Sequence, residues 1–124
     1  MENQDRIGPW KRMDVNLAKF EQYKADYKKI NPVGKVPAMM EEVRKPDGQV
    51  ERFTMFESHA IMKYICQSRQ LADHWYPRNG DAETKAAIDQ YLDWHHGAIR
   101  MGAGGYFFRA YFSGLMSKDG TWAT

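Results

Sequence analysis

Asn31-Pro32-Val33-Gly34-Lys35-Val36-Pro37-Ala38 and Phe56-Glu57-Ser58-His59-Ala60 bracket the part of this 124-residue chain that decides its fold. Lys35 to Val43 reads as a strand and Arg52 to Met55 as a second. Lys45-Pro46-Asp47-Gly48 between them is a strong turn signal, so the two strands form a hairpin. The charged connection Glu41 to Glu51 is long for a hairpin and is expected to project into solvent. Pro37 falls inside the first strand, where a missing N–H normally excludes the residue or marks an edge. A cis Val36–Pro37 peptide resolves that conflict.

Outward from the hairpin, Glu57 to Arg69 puts Ile61, Tyr64 and Ile65 on one helical face, with Ser58 as a candidate cap. Upstream, Leu17, Phe20, Tyr23, Tyr27 and Ile30 recur at intervals of three and four, which predicts an amphipathic helix over Val15–Ile30 ended by Asn31-Pro32. Residues 1–13 read as an extended arm broken at Gly8-Pro9, with Trp10 as an anchor. Residues 71–80, with Trp75-Tyr76-Pro77 and Asn79-Gly80, read as a linker pinned by aromatics. Asp81 opens a long helix that runs to Ile99 through Ala87, Ile88, Tyr91, Leu92 and His95. Gly102, Gly104 and Gly105 are expected to break or kink it before Tyr106-Phe107-Phe108. The order helix, hairpin, helix, linker, long helix is an α+β fold.

Composition narrows the classes. With 43% hydrophobic and 14% aromatic residues the chain has material for a core. The formal charge of +2 and the dispersed basic residues give no nucleic-acid footprint. Cys66 is the single cysteine, so no internal disulfide forms, and its apolar helical setting predicts a buried, inert thiol. No apolar run approaches the ~20 residues of a membrane span, and no signal-peptide core is present. These features set an intracellular, by default cytoplasmic, expectation, with a mitochondrial or other complex-bound location still open.

The two opening motifs resemble the glutathione-binding half-site of theta-class glutathione transferases. Lys35, Ala72-Asp73-His74-Trp75-Tyr76-Pro77 and Leu92-Asp93-Trp94-His95-His96 extend the resemblance, which runs from about Val15 to Tyr111. It implies a partial thioredoxin-like domain over 14–70, with cis-Pro37 at the start of a strand, followed over 81–124 by the first helices of an all-α domain. It further implies that Val36 offers backbone N–H and C=O to the cysteinyl part of glutathione. Ser58 would hold the γ-glutamyl carboxylate at a helix N-terminus and Glu57 its ammonium. Gln22, and Lys19 nearby, match positions that reach the glycyl carboxylate, and Lys35 belongs to the same glutathione-binding motif.

Theta-class enzymes stabilise the glutathione thiolate with a serine on their first strand. This chain has no serine before Ser58, and residues 1–13 show no apolar strand followed by a helix. The resemblance therefore implies an incomplete thioredoxin-like half and an incomplete hydrophobic substrate site. Two functions follow: a non-catalytic structural or accessory subunit of a larger assembly, or an active transferase whose thiolate-stabilising residue comes from a partner chain. A two-stranded sheet is marginal in water, so a partner, such as a transferase-like dimer, is expected to cover its open edge. A cooperatively melting monomer of residues 1–124 would contradict that expectation.

The remaining candidates carry less. His95-His96 point about 100° apart on a helix and have no acidic or cysteine partner at ligand spacing, so no metal is expected. Tyr23 and Tyr27 precede the hairpin, the wrong place for a thiolate-stabilising phenol, and read as core or rim. His59 reads as packing or hydrogen bonding. Asp89, Asp93 and Arg100 read either as a subunit interface or as a solvated face.

Overall fold

The computed structural model describes residues 7–112. The expectations for residues 1–6 and 113–124, and for the side chains of Phe108, Tyr111 and Phe112, lie outside the described residues. The chain divides at Asn79/Gly80 into two compact units.

In the first unit, strands β1 (Ala38–Arg44) and β2 (Val50–Phe56) form an antiparallel hairpin, in register from Ala38↔Phe56 to Arg44↔Val50. The first strand is shorter than the sequence suggested, starting at Ala38 instead of Lys35, whereas the second is longer and the loop is shorter. Lys45 N–H donates to Gln49 O at 2.8 Å and Gly48 N–H to Lys45 O at 2.9 Å, which closes the turn within five residues. Gly48 supplies the left-handed φ of +83° that the turn requires. Lys45–Glu51 and Glu42–Arg52 ion pairs, both at 3.0 Å, account for much of the charge that had pointed to a long loop.

The predicted helix over Val15–Ile30 does not form as one element. It is replaced by two 3₁₀ turns, Leu17–Lys19 and Glu21–Tyr23, and a single α-turn, α1 (Ala25–Lys28). Local competition explains the break. Asn16 Oδ1 accepts from Lys19 N–H at 3.1 Å, and Asn16 N–H donates to Glu21 Oε2 at 2.9 Å. Phe20 turns left-handed at φ 55°, and Lys24 is extended at ψ 149°. The apolar stripe finds no cover either, since Leu17, Phe20 and Tyr23 are all exposed.

Helix α2 (Ser58–Ser68) forms as expected and packs on the hairpin. The Tyr64 ring lies 5.1 Å from Phe53, and its hydroxyl donates to Glu41 Oε2 at 2.7 Å. Arg69 pairs with the other Glu41 oxygen. Glu41 and Phe53 are register partners, so α2 covers that face of the sheet. Beyond the helix, Gln70 turns left-handed at φ 50° and Leu71 N–H donates to Cys66 O at 3.0 Å, which satisfies a terminal carbonyl. Cys66, Leu71 and Tyr76 are the buried apolar residues among those described. Burial pushes the Cys66 thiol up, as an inert thiol requires.

In the second unit, α3 (Ala82–Trp94) is capped by Asp81, whose carboxylate accepts from Thr84 N–H at 2.6 Å and from Thr84 Oγ1 at 3.0 Å. The glycines do not end the helical path. A wider π-helical stretch, His95–Gly104, carries it into α4 (Gly105–Phe112). No helix among the described residues is long and apolar enough to cross a membrane.

Candidate functional site

The hairpin register builds the site. Ala38↔Phe56 is the last pair, so Pro37 and Glu57 are the next residues outward on adjacent strands. The ladder thus leaves Val36–Pro37 and Glu57–Ser58 at the same end of the hairpin. The Val36–Pro37 peptide is cis, as the sequence led us to expect.

Glu57 follows β2 in an unusual conformation, φ 73° and ψ 111°. A non-glycine residue pays about 1–3 kcal/mol to stay there, and such residues cluster at ligand sites. Glu57, and not Ser58, occupies the N-cap position, and its side chain makes no capping bond. Ser58 is instead the first helical residue and half-buried. The capping role expected of Ser58 is therefore not taken up. The opening N–H groups of an eleven-residue helix remain aimed away from the helix at this end.

On the other side, the loop before Val36 is held by a residue that sequence reading took as a helix end and as the start of the matched motif, without a side-chain role. Asn31 is fully buried at 0% exposure. Its Nδ2 donates to Lys35 O at 2.7 Å and its Oδ1 accepts from Val33 N–H at 3.0 Å. Tyr27 adds a hydroxyl donated to the same Lys35 carbonyl at 2.6 Å, and burial pushes its phenol up. Asn followed by Pro is an Asx-turn signal, which would have pointed to this role. Lys35 is thus fixed through its backbone, while its side chain stays exposed.

Gly34, at φ +70°, is covered by the Tyr23 ring. A β-carbon there would lie 2.8 Å from Tyr23 Cδ1 and 3.1 Å from Gln22 O. That contact places Gln22 against the same loop. Gln22 is nine-tenths buried, and its Oε1 has no hydrogen-bond partner among the described residues. The structure therefore brings Gln22 and Tyr23 to the Gly34–Pro37 loop, and Pro37 to the same end of the hairpin as Glu57 and Ser58. Lys19 sits in the first 3₁₀ turn, where its N–H donates to Asn16 Oδ1 at 3.1 Å. Among the described residues no group of three or more His, Cys, Asp or Glu side chains is placed to hold a metal ion.

With this geometry in view, residues 10–67 match the family described as glutathione S-transferase, N-terminal domain. The chain is 45% identical to glutathione S-transferase T1 of Arabidopsis thaliana over 93 residues, which is 74% of this chain and 34% of that protein. It is 37% identical to mouse glutathione S-transferase theta-3 over 92 residues, with the same two shares. The chain carries a glutathione S-transferase N-terminal match over residues 10–67 and is similar to theta-class glutathione S-transferases over 74% of its own length. It spans about a third of the length of these theta-class relatives.

Solved structures agree on the fold. A serine-to-cysteine mutant of poplar glutathione transferase F1 superposes with TM-score 0.66 at 30% identity, covering 90% of this chain and 48% of that one. A transferase family member from Pseudomonas fluorescens, solved with two glutathione molecules bound, gives TM-score 0.68 at 24% identity over 93% of this chain and 48% of its own. A partial thioredoxin-like domain followed by the start of a helical domain is thus the fold of this chain.

Proposed function

We propose that the chain grips glutathione at the Val36–Pro37 and Glu57–Ser58 corner and, in its 124 residues, acts as a non-catalytic accessory subunit of a larger transferase-like assembly. The observation that carries the binding half is the left-handed Glu57 at the same end of the hairpin as the cis Val36–Pro37 peptide. In this reading Val36 pairs through its backbone with the cysteinyl unit. Ser58 and the α2 N-terminus take the γ-glutamyl carboxylate, and Glu57 takes its ammonium. Gln22, with Lys19 nearby, takes the glycyl carboxylate, and Lys35 lies in the loop that carries Val36.

Two features support the accessory half. Catalysis needs a donor positioned to lower the thiol pKa. Two of the nearby phenols are engaged elsewhere: Tyr27 donates to Lys35 O and Tyr64 to Glu41, and both are pushed up from their ordinary value. The small buried apolar set, beside exposed Met40, Val43, Val50 and Phe56 on the hairpin, favours a covering partner.

Calorimetry with glutathione, run beside a conjugation assay with a general aromatic electrophile, tests both halves. Binding without turnover is expected, weakened about tenfold or more by Glu57→Ala or Ser58→Ala. Absence of binding refutes the grip. Turnover by the isolated chain refutes the accessory role, and turnover only with an added partner chain identifies a shared active site.

A further inference from the structure

We infer that the stacked pair Phe20–Tyr23 is a specificity platform for the third residue of a γ-glutamyl-cysteinyl peptide, and that the site prefers an aromatic third residue over glycine. The inference rests on the binding reading above and extends it along the ligand. If the γ-glutamyl end lies by Glu57 and Ser58, it lies toward Pro37, because the ladder leaves those residues at the same end of the hairpin. With the cysteinyl unit along Val36, the ligand runs antiparallel to the loop, and its third residue comes against Lys35 and Gly34.

The surface there is aromatic. Tyr23 covers Gly34, where an added β-carbon would stand 2.8 Å from the ring. Phe20 stacks on Tyr23 with ring centres 6.4 Å apart and planes 20° from parallel. Lys28 Nζ lies 6.0 Å from the Tyr23 ring centre, a cation beside the platform for the peptide's terminal carboxylate. Phe20 and Tyr23 are 64% and 55% exposed, so the stacked rings remain open to a ligand.

Phe20 holds this position at a cost. Its φ of 55° is one that a bulky side chain rarely adopts and that glycine or asparagine would take easily. A glycyl residue has no side chain and uses none of the platform. An aromatic or large apolar third residue would cover both rings, the contact by which aromatic pairs add affinity beyond simple area burial.

The test is calorimetry on the full chain, under reductant, with three probes: γ-Glu-Cys, γ-Glu-Cys-Gly and γ-Glu-Cys-Phe. The wild-type chain is expected to bind the phenylalanyl peptide about fivefold more tightly than the glycyl one. Phe20→Ala should equalise the two and leave the dipeptide unchanged, which also reports an intact site. Phe20→Leu, which keeps bulk without a ring, should fall between them. Equal or reversed affinities for the two tripeptides in the wild type overturn the platform and leave the binding reading standing. A preference that survives Phe20→Ala also overturns it. Failure of all three probes to bind overturns the binding reading and the platform with it.

Discussion

Replacing Asn31 by alanine should cost more than any surface change of similar size. The side chain is fully buried and makes two hydrogen bonds, 2.7 Å to Lys35 O and 3.0 Å from Val33 N–H. Each is worth about 1 kcal/mol net, and the buried groups left behind add a desolvation penalty. Lys35 O keeps the Tyr27 hydroxyl at 2.6 Å, and Val33 is half exposed, so both losses are partly made good. The expected total is about 2–3 kcal/mol. In a unit of fewer than 100 residues that lowers Tm by roughly 10–20 °C.

Asn31→Asp sharpens the test. It keeps the acceptor for Val33 N–H but turns a carboxylate oxygen toward the Lys35 carbonyl. The folded state then raises the new carboxyl's pKa, because only its protonated form can donate as the amide did. Its stability should approach the wild type below the ordinary carboxylate range, and the deficit should grow as pH rises through the raised folded value. Thermal melts of the three proteins across pH, read as differences from wild type, give the answer. An alanine variant melting within about 3 °C of wild type, or an aspartate deficit that is flat with pH, refutes the assigned role of Asn31.

Glu41 is held below its ordinary 4.5 by the Arg69 guanidinium first and the Tyr64 hydroxyl second. Its contribution is therefore present above that ordinary value and lost as pH falls through the depressed one. Glu41→Gln should cost about 1–2 kcal/mol near neutrality, allowing for the partial exposure of Arg69, and the difference should vanish in acid melts. Gly34→Ala should cost about 1–2 kcal/mol in denaturant unfolding, because the exposed Tyr23 ring can swing aside but the positive φ stays. Asp81→Ala should lower helical circular dichroism in the second unit. The Asp81 carboxylate is held down by its bond from Thr84 N–H, so the wild type should lose the same signal as pH falls through that depressed value.

How legible the structure was in the sequence varied with the source of each signal. Pro37 inside a strand pattern admits few solutions, and its conflict with the ladder was enough to point to the cis peptide that is present. The Lys45–Gly48 turn and the apolar face of Ile61, Tyr64 and Ile65 were equally direct, because turn chemistry and helix packing are local or have a cover at hand. The spacing of Leu17, Phe20, Tyr23, Tyr27 and Ile30 looked as strong and misled. Periodicity reports a stripe; it does not report a surface for the stripe to bury against, and without one the side-chain bonds of Asn16 and Glu21 decided the backbone.

The same failure bears on the site. A continuous helix over Val15–Ile30 would place Phe20 and Tyr23 three residues apart on a helix face, with no reason to lie over Gly34. The left-handed turn at Phe20 redirects the chain so that Tyr23 covers Gly34 and Gln22 lies against the loop before the cis peptide. Asn31 and Tyr27 then fix that loop through one carbonyl, Lys35 O. The departure from helical order is therefore what assembles the loop side of the site. The strained Glu57 on the strand side points the same way: at this corner the chain gives up regular backbone on both flanks, and a ligand-binding corner is where that cost is most readily explained.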